Sequence, residues 1–89
     1  MAPLLNLLDD HKVISGHEGH NEAKGITGGY FHIEPMASDL GFKLIYDHEK
    51  NDDFFRDIVD TVVPQPDGSF YGTLFKGGKR KFNFSLHKT

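Results

Sequence analysis

The chain has 89 residues and a formal net charge of −3, with no cysteine and with eight phenylalanines. A chain of this length predicts a single domain, residues 1–89, and its aromatic content argues against disorder. The absence of cysteine excludes disulfides, thiolate metal sites and cysteine nucleophiles, and it favours a cytoplasmic protein over a secreted one. No apolar run reaches the ~18 residues of a membrane span, and the first residues lack the pattern of a signal peptide.

Two segments precede the main body of the predicted domain. Residues 3–11 predict a short helix, because Pro3 suits the first helical position and the apolar side chains that follow recur at helical spacing. Residues 15–29 contain five of the ten glycines and few apolar side chains, which predicts an exposed, flexible loop. Residues 26–87 then predict two strands, a helix and two further strands.

The helix of this body is predicted over residues 52–62. Asn51 or Asp52 can cap its N-terminus, and Pro64 and Pro66 stop it. An apolar stripe runs along one face and is formed by Phe54, Phe55, Ile58, Val59 and Val62. The opposite face carries Asp53, Asp57 and Asp60, which form a second candidate surface for a basic partner.

A β-hairpin is predicted at the C-terminal end, with strands 69–76 and 79–87 around a Gly-Gly turn of type I′ or II′. The register of that hairpin places Lys76 opposite Lys79, with Thr73 opposite Phe82 further along. The order ββαββ predicts an α+β fold in which an antiparallel sheet of about four strands packs against the 52–62 helix. The alternation of side chains puts Phe70, Leu74, Lys76, Lys79 and Lys81 on the face of the hairpin that points away from the core.

The sequence contains no combination of residues that predicts catalysis. No serine lies in a nucleophile motif, and the paired aspartates are sequence neighbours, which do not face each other on a helix. His11, His17 and His20 lie near Glu18 and Glu22, but the spacing of His17 and His20 is not that of a zincin helix. We therefore expect no enzyme activity, no metal site and no cofactor, although the sequence does not settle whether the histidine cluster binds metal.

Charge is distributed unevenly along the chain, which indicates that the protein binds a charged partner. Residues 1–67 carry a net charge of −8, whereas residues 68–89 carry +5 and no acidic side chain. The sequence therefore predicts a small non-enzymatic protein-binding domain, a regulator, inhibitor or adaptor of the kind that viruses and phages often encode. The alternative is a nucleic-acid-binding module that works through the basic, aromatic hairpin 70–81. In both cases the expected partner-binding residues are Phe70, Leu74, Lys76, Lys79 and Lys81.

Overall fold

The computed structural model describes residues 2–5, 11–23, 26–37 and 41–88. They form eight strands, every one of which is antiparallel to the next along the chain. The strands are β1 (Ala2–Leu5), β2 (His11–Ser15), β3 (Glu18–Ala23), β4 (Ile26–Pro35), β5 (Phe42–Ile45), β6 (Ile58–Pro64), β7 (Phe70–Lys76) and β8 (Lys79–Lys88).

The sheet closes on itself, because β1 pairs with β8 as well as with β2. The closing contact is short and consists of the residue pairs Leu4–Lys88 and Leu5–His87. Closure pairs strand edges that would otherwise be open to other chains. A barrel of eight strands has an interior just wide enough for side chains to fill, so the inward-facing residues determine whether this fold is stable.

The interior is filled mainly by apolar side chains from the middle of the strands. The buried ones are Phe31, Leu44, Tyr46, Ile58, Val62 and Leu86. Half-buried side chains pack around them from both ends and are Ile14, Ile33, Phe42, Phe70, Leu74 and Phe84. Among the residues whose side chains the structure describes, Lys12, Asn51 and Asp60 are buried polar ones. The packing therefore combines an apolar core with polar groups that need partners inside the protein.

The prediction of an α+β fold is wrong, because the 52–62 segment is not a helix. Only Asp53–Phe55 is helical, as a single 3₁₀ turn, and Ile58–Pro64 is strand β6 with alternating burial. Five of the seven β6 residues are Ile, Val or Thr, whose β-branched side chains favour strands over helices. Ile58 and Val62 belong to the apolar stripe at helical spacing, but they also lie on one face of a strand. In β6 that face points into the core and includes Asp60. The ββαββ order is replaced by a sheet of eight strands.

The predictions for the N-terminal segments are wrong in the residues that the structure describes. Ala2–Leu5 is a strand rather than the start of a helix over residues 3–11, and His11 begins strand β2. Residues 6–10 lie outside the described ranges. The predicted loop 15–29 contains all of β3 and the start of β4, with only a tight turn between β2 and β3. Residues 24 and 25 of that loop are likewise outside the described ranges.

The C-terminal hairpin follows the prediction near its turn and departs from it further along. Lys76 pairs with Lys79, as predicted, and Gly77 and Gly78 both have positive φ, as a type I′ turn requires. The register shifts beyond Leu74, so Thr73 pairs with Asn83 instead of Phe82. A β-bulge adds one residue to one strand, which reverses the face on which all later side chains of that strand lie.

Helical structure is limited among the residues that the structure describes. The 3₁₀ turn at Asp53–Phe55 is three residues long. Across the described ranges, no helix has the length and apolar character needed to cross a membrane.

The closed sheet makes a testable prediction about stability. Leu44 is fully buried and Phe55 is 41% exposed. Leu44→Ala should lower the free energy of unfolding by about 2–5 kcal/mol, whereas Phe55→Ala should change it by about 0.5 kcal/mol. Urea unfolding followed by far-UV circular dichroism measures both. Equal losses for the two variants would contradict this fold and would favour a helix that buries Phe55.

Candidate functional site

The residues predicted to bind a partner differ in how far they are exposed to solvent. Phe70 and Leu74 are half-buried and pack against the core. Lys79 and Lys81 are exposed, and Lys76 is half-buried near the turn. The apolar members of the predicted surface are therefore partly covered by the core, whereas Lys79 and Lys81 are open to solvent. The binding role of the lysines stays a prediction, but Phe70 and Leu74 are placed to stabilise the barrel.

The three aspartates of the second predicted surface also lie apart. The Asp53 side chain is exposed and its carboxylate lies 3.2 Å from the Arg56 guanidinium. Asp57 pairs with Lys76. Asp60 faces the barrel interior and is 2% exposed. Since the helix that was expected to align them does not form, these carboxylates do not make a single acidic surface.

Two exposed phenylalanines lie beside the turn of the C-terminal hairpin. Phe54 is 65% exposed, Phe55 is 41% exposed, and their rings are in edge-to-face contact. The Lys76 ammonium lies 4.1 Å from the centre of the Phe54 ring, donates to the Phe54 carbonyl and pairs with Asp57. The hydrogen bond from Lys76 is the main reason that the pKa of Asp57 lies below its ordinary value. We call Phe54, Phe55, Lys76, Lys79 and Lys81 the hairpin-end surface.

A network of four polar side chains crosses the barrel interior. The Lys12 ammonium donates to Asn21 Oδ1 at 2.7 Å and to the Tyr46 hydroxyl at 2.8 Å. Tyr46 donates to Asp60 Oδ2 at 3.1 Å, and Lys12 lies 3.6 Å from the same oxygen. The other Asp60 oxygen, Oδ1, is buried with no hydrogen-bond partner among the described residues. The network therefore joins strands β2, β3 and β6 to the end of β5.

Burial raises the pKa of two members of this interior network. The pKa of Asp60 lies above its ordinary value because burial penalises the carboxylate, although Lys12 acts in the opposite direction. The pKa of the Tyr46 hydroxyl is also well above its ordinary value, first through burial and second through the charge of Asp60. The tyrosine therefore remains a neutral hydrogen-bond donor at physiological pH.

An irregularity between β3 and β4 creates a cleft on the outside of the barrel. The ladder shifts by one residue between Gly19 and Asn21. Gly29 lies opposite this shift with a φ of 58°, and a Cβ atom there would lie 2.6 Å from the Asn21 amide. Bulges of this kind redirect the side chain that follows them. Here the residue that follows is Tyr30.

The side-chain amide of Asn51 replaces the missing strand neighbour of Tyr30. Asn51 Oδ1 accepts from the Tyr30 backbone N–H at 2.8 Å, and Asn51 Nδ2 donates to the Tyr30 carbonyl at 2.7 Å. Nδ2 also donates to the Tyr46 carbonyl at 2.7 Å. Asn51 is buried. It therefore attaches the segment after β5 to β4 and fixes the position of the Tyr30 backbone.

The cleft beside Tyr30 has a volume of about 320 Å³ and is half open to solvent. The Tyr30 ring lies between two imidazoles, with ring centres 6.0 Å from His20 and 5.2 Å from His48. The Lys50 ammonium lies 5.2 Å from the centre of the same ring. We call this site the Tyr30 cleft, and its main lining residues are Val13, Ser15, Glu18, His20, Tyr30, Phe31, His48 and Lys50.

Hydrogen bonds to the two imidazoles determine which nitrogen of each carries a proton in the neutral ring. The Lys50 backbone N–H donates to His48 Nδ1 at 3.0 Å, so His48 Nε2 is the N–H donor. His20 Nε2 lies 2.7 Å from the Glu22 carboxylate, which only accepts, so His20 Nδ1 is the acceptor. In their neutral forms, the two imidazoles therefore present one donor, His48 Nε2–H, and one acceptor, His20 Nδ1.

The histidine cluster that the sequence singled out is only partly assembled. His20 pairs with Glu22, whereas His17 is exposed in the turn between β2 and β3. His11 pairs with Glu22 across the β2–β3 ladder as a backbone neighbour. Within the described ranges, no three His, Asp or Glu side chains come together in a way that could hold a metal ion.

Sequence reasoning missed the Tyr30 cleft. Tyr30, His48 and Lys50 lie within residues 26–87, and the prediction for that region gave none of them a binding role. The sequence contained one signal for it, the Gly28-Gly29 pair directly before Tyr30 and Phe31. Glycine within a strand often marks a bulge. Comparisons with known proteins add no further assignment: no family model, no curated protein and no solved structure matches this chain.

A double-mutant cycle tests the interior pair of Lys12 and Asp60. Lys12→Met alone should cost about 3–5 kcal/mol, because it leaves a buried carboxylate without its cation. Lys12→Met combined with Asp60→Leu should cost clearly less than the sum of the two single substitutions. Urea unfolding at pH 7 measures all four proteins. Additive losses would show that the two side chains do not stabilise each other.

The raised pKa of Asp60 predicts a pH dependence of stability. Between the ordinary aspartate pKa of about 4 and the higher pKa of the folded state, the folded protein binds more protons than the unfolded chain. The contribution of Asp60 to stability is therefore complete at acid pH and is lost as the pH rises through the folded pKa. Asp60→Asn provides the control, because its side chain does not titrate. As the pH rises from 4 to 7, the free energy of unfolding of the wild-type chain should fall relative to that of Asp60→Asn. A constant difference between the two proteins would contradict the raised pKa.

Proposed function

We propose that this chain is a non-enzymatic binding domain that recognises a protein partner through the hairpin-end surface. The observation that carries the proposal is the exposure of Phe54 and Phe55 beside the basic turn of the C-terminal hairpin. Exposed apolar groups that lie together mark interaction sites more often than single exposed ones. The partner should offer an apolar pocket for these two rings and an acidic rim for the lysines.

Phe54 and Phe55 supply the apolar contact that the sequence analysis expected from Phe70 and Leu74. Aromatic side chains that fill a pocket, surrounded by polar contacts that exclude water, are typical of the residues that dominate binding energy. The 3₁₀ turn presents the rings outward, and the Gly77 backbone N–H donates to the Asp57 carbonyl at 3.1 Å. This hydrogen bond attaches the phenylalanines to the hairpin turn, so aromatic and basic groups form one surface.

Charge favours a protein over a nucleic acid as the partner. Lys76 is paired with Asp57 and Arg56 with Asp53, so carboxylates lie among the cations of this region. Carboxylates repel phosphates, and the chain as a whole is acidic. Lys79 and Lys81 remain exposed at the start of β8. They fit the rim of a protein interface, where such charges increase the association rate more than the affinity.

The experiment compares three baits in pull-downs from lysate of the source cells, followed by mass spectrometry and affinity measurement on the recovered partner. The baits are the wild-type chain, Phe54→Ser/Phe55→Ser and Tyr71→Ser. Tyr71 is a matched control because it is 45% exposed on a different part of the barrel. We expect the Phe54/Phe55 variant to bind the partner at least about tenfold more weakly, since central aromatic groups cost over ~1–2 kcal/mol when removed. The Tyr71 variant should bind normally.

Lys79→Glu/Lys81→Glu separates the two classes of partner. For a protein partner, the loss should lie mainly in the association rate and should shrink at high salt. Heparin and single-stranded DNA are tested in parallel across salt concentrations. Strong, steeply salt-dependent binding that the lysines control and the phenylalanines do not would overturn the proposal in favour of nucleic acid. Equal binding by all variants would also overturn it.

A further inference from the structure

The Tyr30 cleft is a second site, and the proposed protein-binding function does not use it. Its residues come from β2, β3, β4 and the segment after β5, whereas the hairpin-end surface comes from the 3₁₀ turn, β7 and β8. A volume of about 320 Å³ lies at the lower end of the range for small-molecule sites. The half-open shape suits a ligand that leaves part of its surface in water.

Hydrogen-bond donors and acceptors are separated across the cleft. On one side, the segment after β5 provides the Lys50 ammonium and the His48 Nε2–H. On the other side, β3 provides the Glu18 carboxylate and, in neutral His20, the Nδ1 acceptor. The Tyr30 ring lies between the two imidazoles. A ligand that satisfies both sides must carry a negative group at one end and a hydrogen-bond-donating cation at the other.

The base of the cleft is apolar. Val13 is half-buried and provides accessible apolar surface there, whereas Phe31, whose ring packs on Tyr46 at 5.3 Å between ring centres, is 1% exposed and adds little surface of its own. An apolar side chain of the ligand can therefore be taken out of water there, at a gain of about 25 cal/mol per Å². A purely ionic ligand would leave this surface unused.

From these groups we propose that the Tyr30 cleft binds a free α-amino acid with an apolar side chain, of the size of leucine. The carboxylate of the ligand is held by Lys50 and His48, and its ammonium is held by Glu18 and His20. The apolar side chain packs on Val13, beside the Tyr30 ring. A simple anion would satisfy only one side of the cleft, and Glu18 would repel it.

The local backbone supports a site that is formed before the ligand arrives. The bulge at Gly29 and the three hydrogen bonds of buried Asn51 fix Tyr30 and the segment that carries His48. A site that is already ordered pays less entropy on binding. This matters for a ligand as small as an amino acid, which makes few contacts.

The test is a titration of the ¹⁵N-labelled 89-residue chain, followed by NMR, with three matched probes. L-leucine carries both charges, leucinamide lacks the carboxylate, and N-acetyl-leucine lacks the ammonium. We expect saturable shifts at Tyr30 and His48 with leucine. Each of the other two probes should bind roughly tenfold more weakly, because each loses hydrogen bonds to a charged group.

Variants assign each end of the ligand to one side of the cleft. Lys50→Met should weaken leucine binding while leaving leucinamide binding unchanged, and Glu18→Gln should do the same for N-acetyl-leucine. Lys43→Met and Glu34→Gln are matched controls, since both residues are exposed and neither lines the cleft. Circular dichroism of each variant checks that it folds.

Three results would overturn the proposal. They are the absence of a saturable shift with leucine at millimolar concentration, leucine-induced shifts that fall outside the Tyr30 cleft, and equal binding of all three probes. None of these results bears on the hairpin-end surface, since the Phe54→Ser/Phe55→Ser variant retains every residue of the cleft. The two proposals therefore fail independently.

Discussion

The buried pair of Lys12 and Asp60 is the constraint on which the rest of the structure depends. Lys12 belongs to β2 and Asp60 to β6, so the pair spans the barrel interior. Placing two charges among Phe31, Leu44 and Val62 is costly, and it is tolerated only where each charge has partners in good geometry. A shift of either strand by one residue would turn its charge outward and an apolar neighbour's position inward. The pair therefore favours one strand register over its neighbours as well as contributing to stability.

The same interior network reaches the outside of the barrel through Asn21. Its amide nitrogen donates to the Tyr46 hydroxyl at 3.2 Å and to the Gly29 carbonyl at 3.0 Å, while its oxygen accepts from Lys12. One side chain thus bonds both the interior network and the bulge that redirects Tyr30. Phe31 provides a second connection, because it packs on Tyr46 inside and lines the cleft outside. Changes in the interior network should therefore be felt in the Tyr30 cleft, although the two lie on opposite faces of the sheet.

Sequence reasoning predicted the features that depend on residues close together in the chain. It missed the features that depend on how distant strands meet when the sheet closes. The Gly77-Gly78 turn and the Lys76–Lys79 pair were predictable, because a two-residue glycine turn determines its own register. The face of β7 was assigned incorrectly, because Gly72 gives no apolar signal although the Phe84 ring covers it on the inner side. Asp60 was assigned to a solvent face for a similar reason: its partner Lys12 lies far away in the chain, on β2, and no local pattern shows that they meet. The Tyr30 cleft depends on Asn51 in the same non-local way.

The two proposed sites differ in how firmly their residues are held, and this difference fits the two kinds of ligand. The hairpin-end surface depends on an exposed pair between Lys76 and Asp57, and exposed pairs contribute little to stability. Its phenylalanines can therefore adjust to a protein partner, whose large interface compensates for the ordering. The Tyr30 cleft depends on buried amide hydrogen bonds from Asn51 and Asn21, which are costly to break. A small ligand cannot supply that energy, so only a cleft that is already formed can bind one.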